Sequence, residues 1–222
     1  MDGKTDSKLI IGGARSEIGR WICSAISDQG SSFIATSRIK SNDNVSLICD
    51  PTAYEDYINL FTSLLEQGVK LSSIYYCPGT YHMNSISCVA HADWVNDINV
   101  NFIGAYFAYR AFVQVHKLEN INNVKFVFLG STSSVSQRAN LSSYWISKKA
   151  LEDLASVINN ESQGRIRSVC LRIGTCQTSF SNSSDNANMI NNSDISDCID
   201  YLESCRFSSL PEYITLRPIP LS

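Results

Sequence analysis

The sequence predicts a doubly wound α/β fold, with a mainly parallel sheet of about seven strands flanked by helices. Three observations predict it. Short apolar runs bounded by turn residues alternate with longer stretches of helical periodicity. A glycine-rich turn follows the first apolar run and opens a helical stretch. The length, 222 residues, suits one such domain.

The elements follow in order. The runs Leu9–Ile11, Phe33–Thr36, Val45–Cys49, Ile74–Cys77, Phe126–Leu129 and Val169–Ile173 are mostly β-branched or aromatic and read as buried strands. Helical patterns lie between them at 17–29, 53–67, 91–117, 143–161 and 194–205. Alternation of this kind places helices on both faces of a parallel sheet, and right-handed crossovers leave the doubly wound order first. There is no internal repeat, so residues 1–222 are expected to form a single Rossmann-type domain for dinucleotide binding and catalysis. Residues 179–193, rich in Ser, Asn and Asp, are expected to form a mobile substrate loop. They follow the sixth strand at the carboxyl end of the sheet, where open α/β folds bind ligands.

Composition excludes several classes. The net charge is −3 and no Lys/Arg cluster is evident, which argues against a nucleic-acid partner. No apolar run reaches the length of a membrane span. Met1–Lys8 is polar and lacks the apolar region of a signal peptide, so a cytoplasmic location is expected. Eight cysteines stand without a CxxC pair, which points to reduced thiols and no metal site.

The turn Gly12-Gly13-Ala14-Arg15-Ser16-Glu17-Ile18-Gly19-Arg20 joins the first strand to a helix. Glycines let backbone approach a pyrophosphate, and the helix start points free N–H groups at the anion. Gly13, Arg15, Ser16, Ile18 and Gly19 are the candidate cradle. Tyr144-Trp145-Ile146-Ser147-Lys148 places a tyrosine and a lysine on one helix face. An ammonium near a phenol favours the phenolate, so the pair can exchange a proton with a carbonyl or hydroxyl oxygen. As a bare pattern, the same spacing also describes a solvated helix face. After the second strand the chain reads Ala35-Thr36-Ser37-Arg38, with no carboxylate for a ribose 2′-hydroxyl. Arg38, helped by Arg15, suits a 2′-phosphate, so NADP(H) is expected over NAD(H).

These residues resemble the short-chain dehydrogenase/reductase family in its compact form, over about residues 8 to 218. The turn is similar to TGxxxGxG, with Gly13 and Gly19 at the first and last glycines, Glu17 at the middle one and Gly12 in place of threonine. The resemblance makes Tyr144 and Lys148 the catalytic pair. Ser131, thirteen residues before Tyr144, takes the place of the catalytic serine, with Ser134 as the alternative. Asn101, in Asn101-Phe102-Ile103-Gly104, takes the place of the asparagine of a water-linked proton relay. Asp50 matches an adenine contact. Tyr76-Cys77-Pro78-Gly79 stands where the family has NNAG, and only Gly79 survives. Gly174 and Thr178 match PGxxxT without its proline, with Thr178 toward the nicotinamide, and Ile214–Pro218 resembles a last strand.

The implied function is NADP(H)-dependent hydride transfer between the cofactor and a small carbonyl or alcohol substrate. Two alternatives stay open: a nucleotide-sugar epimerase or dehydratase of the same superfamily, and a non-catalytic NADP(H)-sensing protein. Tyr81, His82 and Trp145 are candidates for the substrate pocket. A homodimer or homotetramer through helices 91–117 and 143–161 is implied by the resemblance.

Overall fold

In β1 (Ser7–Ile11), Leu9 and Ile11 join the core on one face of the sheet and Ile10 joins it on the other; all three are fully buried. The same period of two runs through β5 (Val124–Ser131), where Phe126 and Phe128 oppose Val127 and Leu129. A strand buried on both sides must be covered on both sides, and the chain supplies a helix after most strands to do it.

The computed structural model describes residues 6–39, 46–137, 139–179 and 189–218. After β1 come α1 (Glu17–Asp28), β2 (Ser32–Ser37), β3 (Ser46–Ile48), α2 (Tyr54–Glu66) and β4 (Leu71–Tyr76). Then follow α3 (His91–Ile98), a π-helical stretch (Asn99–Ile103), α4 (Gly104–His116), β5, α5 (Ser142–Glu161), β6 (Ile166–Ile173), α6 (Asn192–Ser204) and β7 (Tyr213–Leu216). The seven strands lie in the order β3-β2-β1-β4-β5-β6-β7, and every pairing is parallel. The order reverses between β1 and β4, so the loops leaving these two strands part and open a crevice.

On one face α2, α4 and α5 bring Tyr57, Phe61, Phe112 and Leu151 against the sheet. Phe112 meets Phe61 and Phe126 edge-on, with ring centroids 5.3 and 5.5 Å away. On the other face α1 and α6 bring Ile22, Ile26, Ile199 and Leu202. Truncating a core aromatic such as Phe126 to alanine costs about 3–5 kcal/mol.

Three differences from the expected elements have physical reasons. β5 and β6 run longer than their apolar cores, because their ladder continues from Val124↔Ile166 to Ser131↔Ile173. Ser131 therefore ends a strand instead of starting a loop. The helix expected over 91–117 contains the π-helical stretch, which coincides with Asn101. α6 begins at Asn192, earlier than expected, since Asn191 caps it and Asp194 completes a capping box. Within the expected substrate loop, 180–188 lie outside the described residues.

All eight cysteines are free. Among the described residues no helix is long and apolar enough to cross a membrane, and no cluster of three or more His, Cys, Asp or Glu is placed to hold a metal ion.

Candidate active site

The crevice at the carboxyl ends of β1, β4, β5 and β6 is a cleft of about 1020 Å³. Its first wall is the turn after β1. Gly12 has φ +72°, and its N–H donates to Thr36 Oγ1 at 3.0 Å. The Ala14 N–H donates to the Thr36 carbonyl at 3.2 Å. The end of β2 thus shapes the turn. A Cβ on Gly13 would lie 2.2 Å from Ile10 Cγ2, and one on Gly19 would lie 2.4 Å from Ser16 Oγ and 2.6 Å from Gly13 Cα. Gly13 lets the turn fold close onto Ile10 of β1, and Gly19 lets α1 pack onto the turn. Ser16 caps α1, accepting the Gly19 N–H at 3.0 Å. The remaining N–H groups of that first turn have no carbonyl inside the helix to meet. Arg15, Ser16 and Ile18 line the cleft, while Gly13 and Gly19 lie beneath it as packing glycines.

Glu17 occupies the position of the middle glycine. Its carboxylate accepts the Ser179 N–H at 2.8 Å and the Ser179 hydroxyl. Those two bonds hold its carboxyl below the usual carboxylate range.

The second wall carries Tyr144, Lys148 and Ser131. Tyr144 and Ser131, at the end of β5, both line this wall, and Ser131 Oγ accepts the Ser133 N–H at 3.1 Å. Lys148 Nζ donates to the Leu129 carbonyl at 2.7 Å and lies 5.7 Å from the Tyr144 ring centroid. A Cβ on Gly79 would be 3.5 Å from Asn101 Oδ1 and 3.6 Å from Lys148 Nζ, so the asparagine and the lysine both border this glycine. Asn101 is fully buried: its Nδ2 donates to the Thr80 carbonyl at 2.8 Å and to Ser147 Oγ at 2.9 Å, and its Oδ1 accepts the Thr80 N–H at 2.8 Å.

The electrostatics depart from expectation. A lysine beside a tyrosine should draw the phenol down, yet burial dominates here. Burial pushes Tyr144 up to about 12, with the Ser131 side chain partly opposing it. Burial also pushes Lys148 down to about 8. At neutral pH the pair is a phenol beside an ammonium that titrates unusually easily.

The two serine candidates separate. Ser131 lines the cleft. Ser134 turns away, donating to the Ser131 carbonyl at 2.6 Å and bonding Glu152, which in turn pairs with Arg172 at 2.7 Å. Arg38, Gly79, Gly174 and Thr178 line the cleft. Asp50 does not. Its carboxylate accepts the Thr52 N–H at 2.8 Å and the Thr52 hydroxyl at 2.7 Å, leaving Cys49 and Pro51 to form that part of the wall. Tyr81 lines the cleft, whereas His82 turns toward α3 and Trp145 does not line the cleft.

Several residues of the site carried no motif. Thr36 holds the turn, and Asp97, Ser143 and Ser147 support the second wall. A signal for Asp97 did exist, since it precedes Asn101 at the i, i+4 spacing that relates Tyr144 to Lys148.

Solved structures of the same shape are enzymes of related kinds. An alcohol dehydrogenase from the archaeon Thermococcus sibiricus, complexed with 5-hydroxy-NADP, superposes with a TM-score of 0.85 at 17% identity, covering 97% of each chain. A serine dehydrogenase from Escherichia coli gives 0.83 at 16% identity, covering 97% of this chain and 99% of its own. A short-chain dehydrogenase from Streptomyces avermitilis gives 0.82 at 16% identity, covering 95% and 87%. At such identities the likeness speaks for the fold. No curated protein matches the sequence. A family model described as short chain dehydrogenase matches residues 7–188. With most of the chain under that model and the fold matching throughout, the chain belongs to the short chain dehydrogenase family, oxidoreductases that work with a nicotinamide cofactor.

Proposed function

We propose that the protein is an NADP(H)-dependent reductase of small, uncharged carbonyl compounds, with Ser131, Tyr144, Lys148 and Asn101 as its working set. The observation that carries this reading is that Ser131, Tyr144 and Lys148 line one cleft, with Lys148 and Asn101 both close to Gly79.

The residues fit the cofactor. A turn in which Gly12 needs positive φ, and in which side chains on Gly13 and Gly19 would collide with backbone or core, brings the main chain to the cleft edge. Free N–H groups at the start of α1 suit a pyrophosphate. Arg38 and Arg15 border the same end of the cleft and suit a 2′-phosphate, which favours NADP(H). Gly174 and Thr178 border it farther along, with Thr178 suited to the carboxamide. When bound, the nicotinamide exchanges a hydride with the substrate carbon.

The chain's own groups do the rest. Tyr144 and Ser131 hold the carbonyl oxygen, and Tyr144 gives it a proton as negative charge develops there. Tyr144 is a phenol at neutral pH and so has a proton to give in the reduction direction, but burial alone makes it a weaker acid, which leaves the lowering of its barrier to the neighbouring positive charge. Lys148 supplies a nearby positive charge that stabilises the phenolate left behind. Asn101 fixes the Thr80 backbone beside Lys148 and holds the relay end of the site. Tyr81, Met83 and Leu141 give the substrate end an apolar wall.

The test is Tyr144→Phe. Turnover should fall by at least about 10²-fold, the scale of a lost general acid, while NADPH affinity stays within a few-fold. Equal turnover in the variant removes Tyr144 from its role. Failure of folded wild-type protein to bind NADPH removes the whole reading.

A further inference from the structure

One buried carboxylate beside the cleft belongs to no part of the mechanism above. Asp97, on α3, is fully buried. Its Oδ1 accepts the Thr80 hydroxyl at 2.9 Å and meets His82 Nδ1 at 2.9 Å; its Oδ2 accepts the Ser143 hydroxyl at 2.6 Å. His82 Nε2 also lies 3.4 Å from Asp93 Oδ1, so the imidazole bridges two carboxylates of α3.

The partners of Asp97 are arranged around one residue. Thr80 and His82 flank Tyr81, whose ring stands edge-on to that of Tyr144 with centroids 6.0 Å apart. Ser143 directly precedes Tyr144 on α5. Asn101, one helical turn farther on, grips the Thr80 backbone through both its N–H and its carbonyl. Two residues of one helix face therefore fix the segment that carries Tyr81, and one of them also fixes the helix start that carries Tyr144.

Burying a carboxylate opposes folding, and a well-packed apolar residue often does as well or better for stability. What the carboxylate adds is direction: three donors from two separate elements converge on its two oxygens. We propose that Asp97 is a positioning residue for substrate selection, holding Tyr81 edge-on to Tyr144 so that the Tyr81 ring packs against an aromatic carbonyl substrate beside Tyr144. This assignment rests on the reductase reading of the same cleft.

Benzaldehyde is the probe, with NADPH oxidation as the signal, in wild type, Asp97→Asn, Tyr81→Ala and the double variant. Asp97→Asn should raise the KM for benzaldehyde about tenfold with kcat changed far less and NADPH affinity within twofold, and in the Tyr81→Ala background the same change should shift KM less than twofold. An unchanged KM in Asp97→Asn, or an equal effect in both backgrounds, overturns the assignment. If Asp97→Asn does not fold, Thr80→Val and His82→Gln remove donors from the other side and are read in the same cycle. Wild-type protein that reduces propanal but not benzaldehyde overturns the aromatic selection and leaves the reductase reading standing, whereas protein that binds NADPH but reduces neither faster than Tyr144→Phe fails at the level of the reductase reading and takes Asp97 with it. Loss of the Asp97 effect alone leaves that reading standing.

Discussion

The Glu17 carboxylate accepts the backbone N–H of Ser179 at 2.8 Å, across the cleft mouth from one wall to the other. A carboxylate at the start of α1 would repel a pyrophosphate, and this contact turns it aside. The charge still stands near the anion site. Glu17→Gln should tighten NADPH binding about threefold at low salt, from a Coulomb interaction of about 0.7 kcal/mol at 6 Å in water. The gain should vanish at high salt. Fluorescence titrations at two ionic strengths check it; a gain that ignores salt would mean the charge is not the cause.

Arg38 should decide between the two cofactors. Charge-assisted hydrogen bonds to a phosphate are each worth about 1.5–3 kcal/mol. Arg38→Asp should therefore lower the NADPH-to-NADH affinity ratio at least about tenfold. Paired titrations with the two cofactors read this directly, and an unmoved ratio would hand the role to Arg15 or to neither.

Lys148 sets a pH limit. Burial depresses it to about 8, so it is an ammonium below that pH and neutral above. Tyr144, pushed up to about 12, remains a phenol across the same range. Carbonyl reduction at saturating NADPH should be level on the acid side of this value and decline as pH rises through it. A kcat profile from about pH 6 to 10 shows the limb, and a flat profile would contradict the ammonium's role.

The two serines should fail differently. Ser131→Ala should lower kcat about 10²–10³-fold, and losing the bond its Oγ accepts from the Ser133 N–H should also lower Tm by a few degrees, so kcat is the reading that tells it apart. Ser134→Ala removes a buried partner of Glu152 and of the Ser131 carbonyl. That loss, about 1–3 kcal/mol, should lower Tm by roughly 2–6 °C. Thermal melts and initial rates on both variants separate the two cases.

A homo-oligomer remains a proposal. Tyr106 on α4 and Val157 on α5 are exposed apolar residues on the helices the family resemblance implicates. Light scattering on the purified protein gives the mass, and a monomer would end the idea.

The sequence by itself determined the sheet, its helices and most of the cleft. A strand buried on both faces must read as an apolar run, and a phosphate turn must spend glycines, so both leave marks in the sequence. The Tyr144 and Lys148 pairing was equally legible, because helical spacing alone puts them together. The choice between Ser131 and Ser134 was not, since adjacent serines look alike until a strand end and a buried Glu152 assign their directions. The sign of the Tyr144 shift was also beyond the sequence: depth of burial, which no local pattern encodes, outweighs the neighbouring ammonium. Glu17, at the position of the middle glycine, finds its partner in Ser179, 162 positions away, which no local pattern foretells. The i, i+4 spacing links Asp97 to Asn101, but its partners come from the loop after β4 and the start of α5, and only the folded chain converges them on one carboxylate.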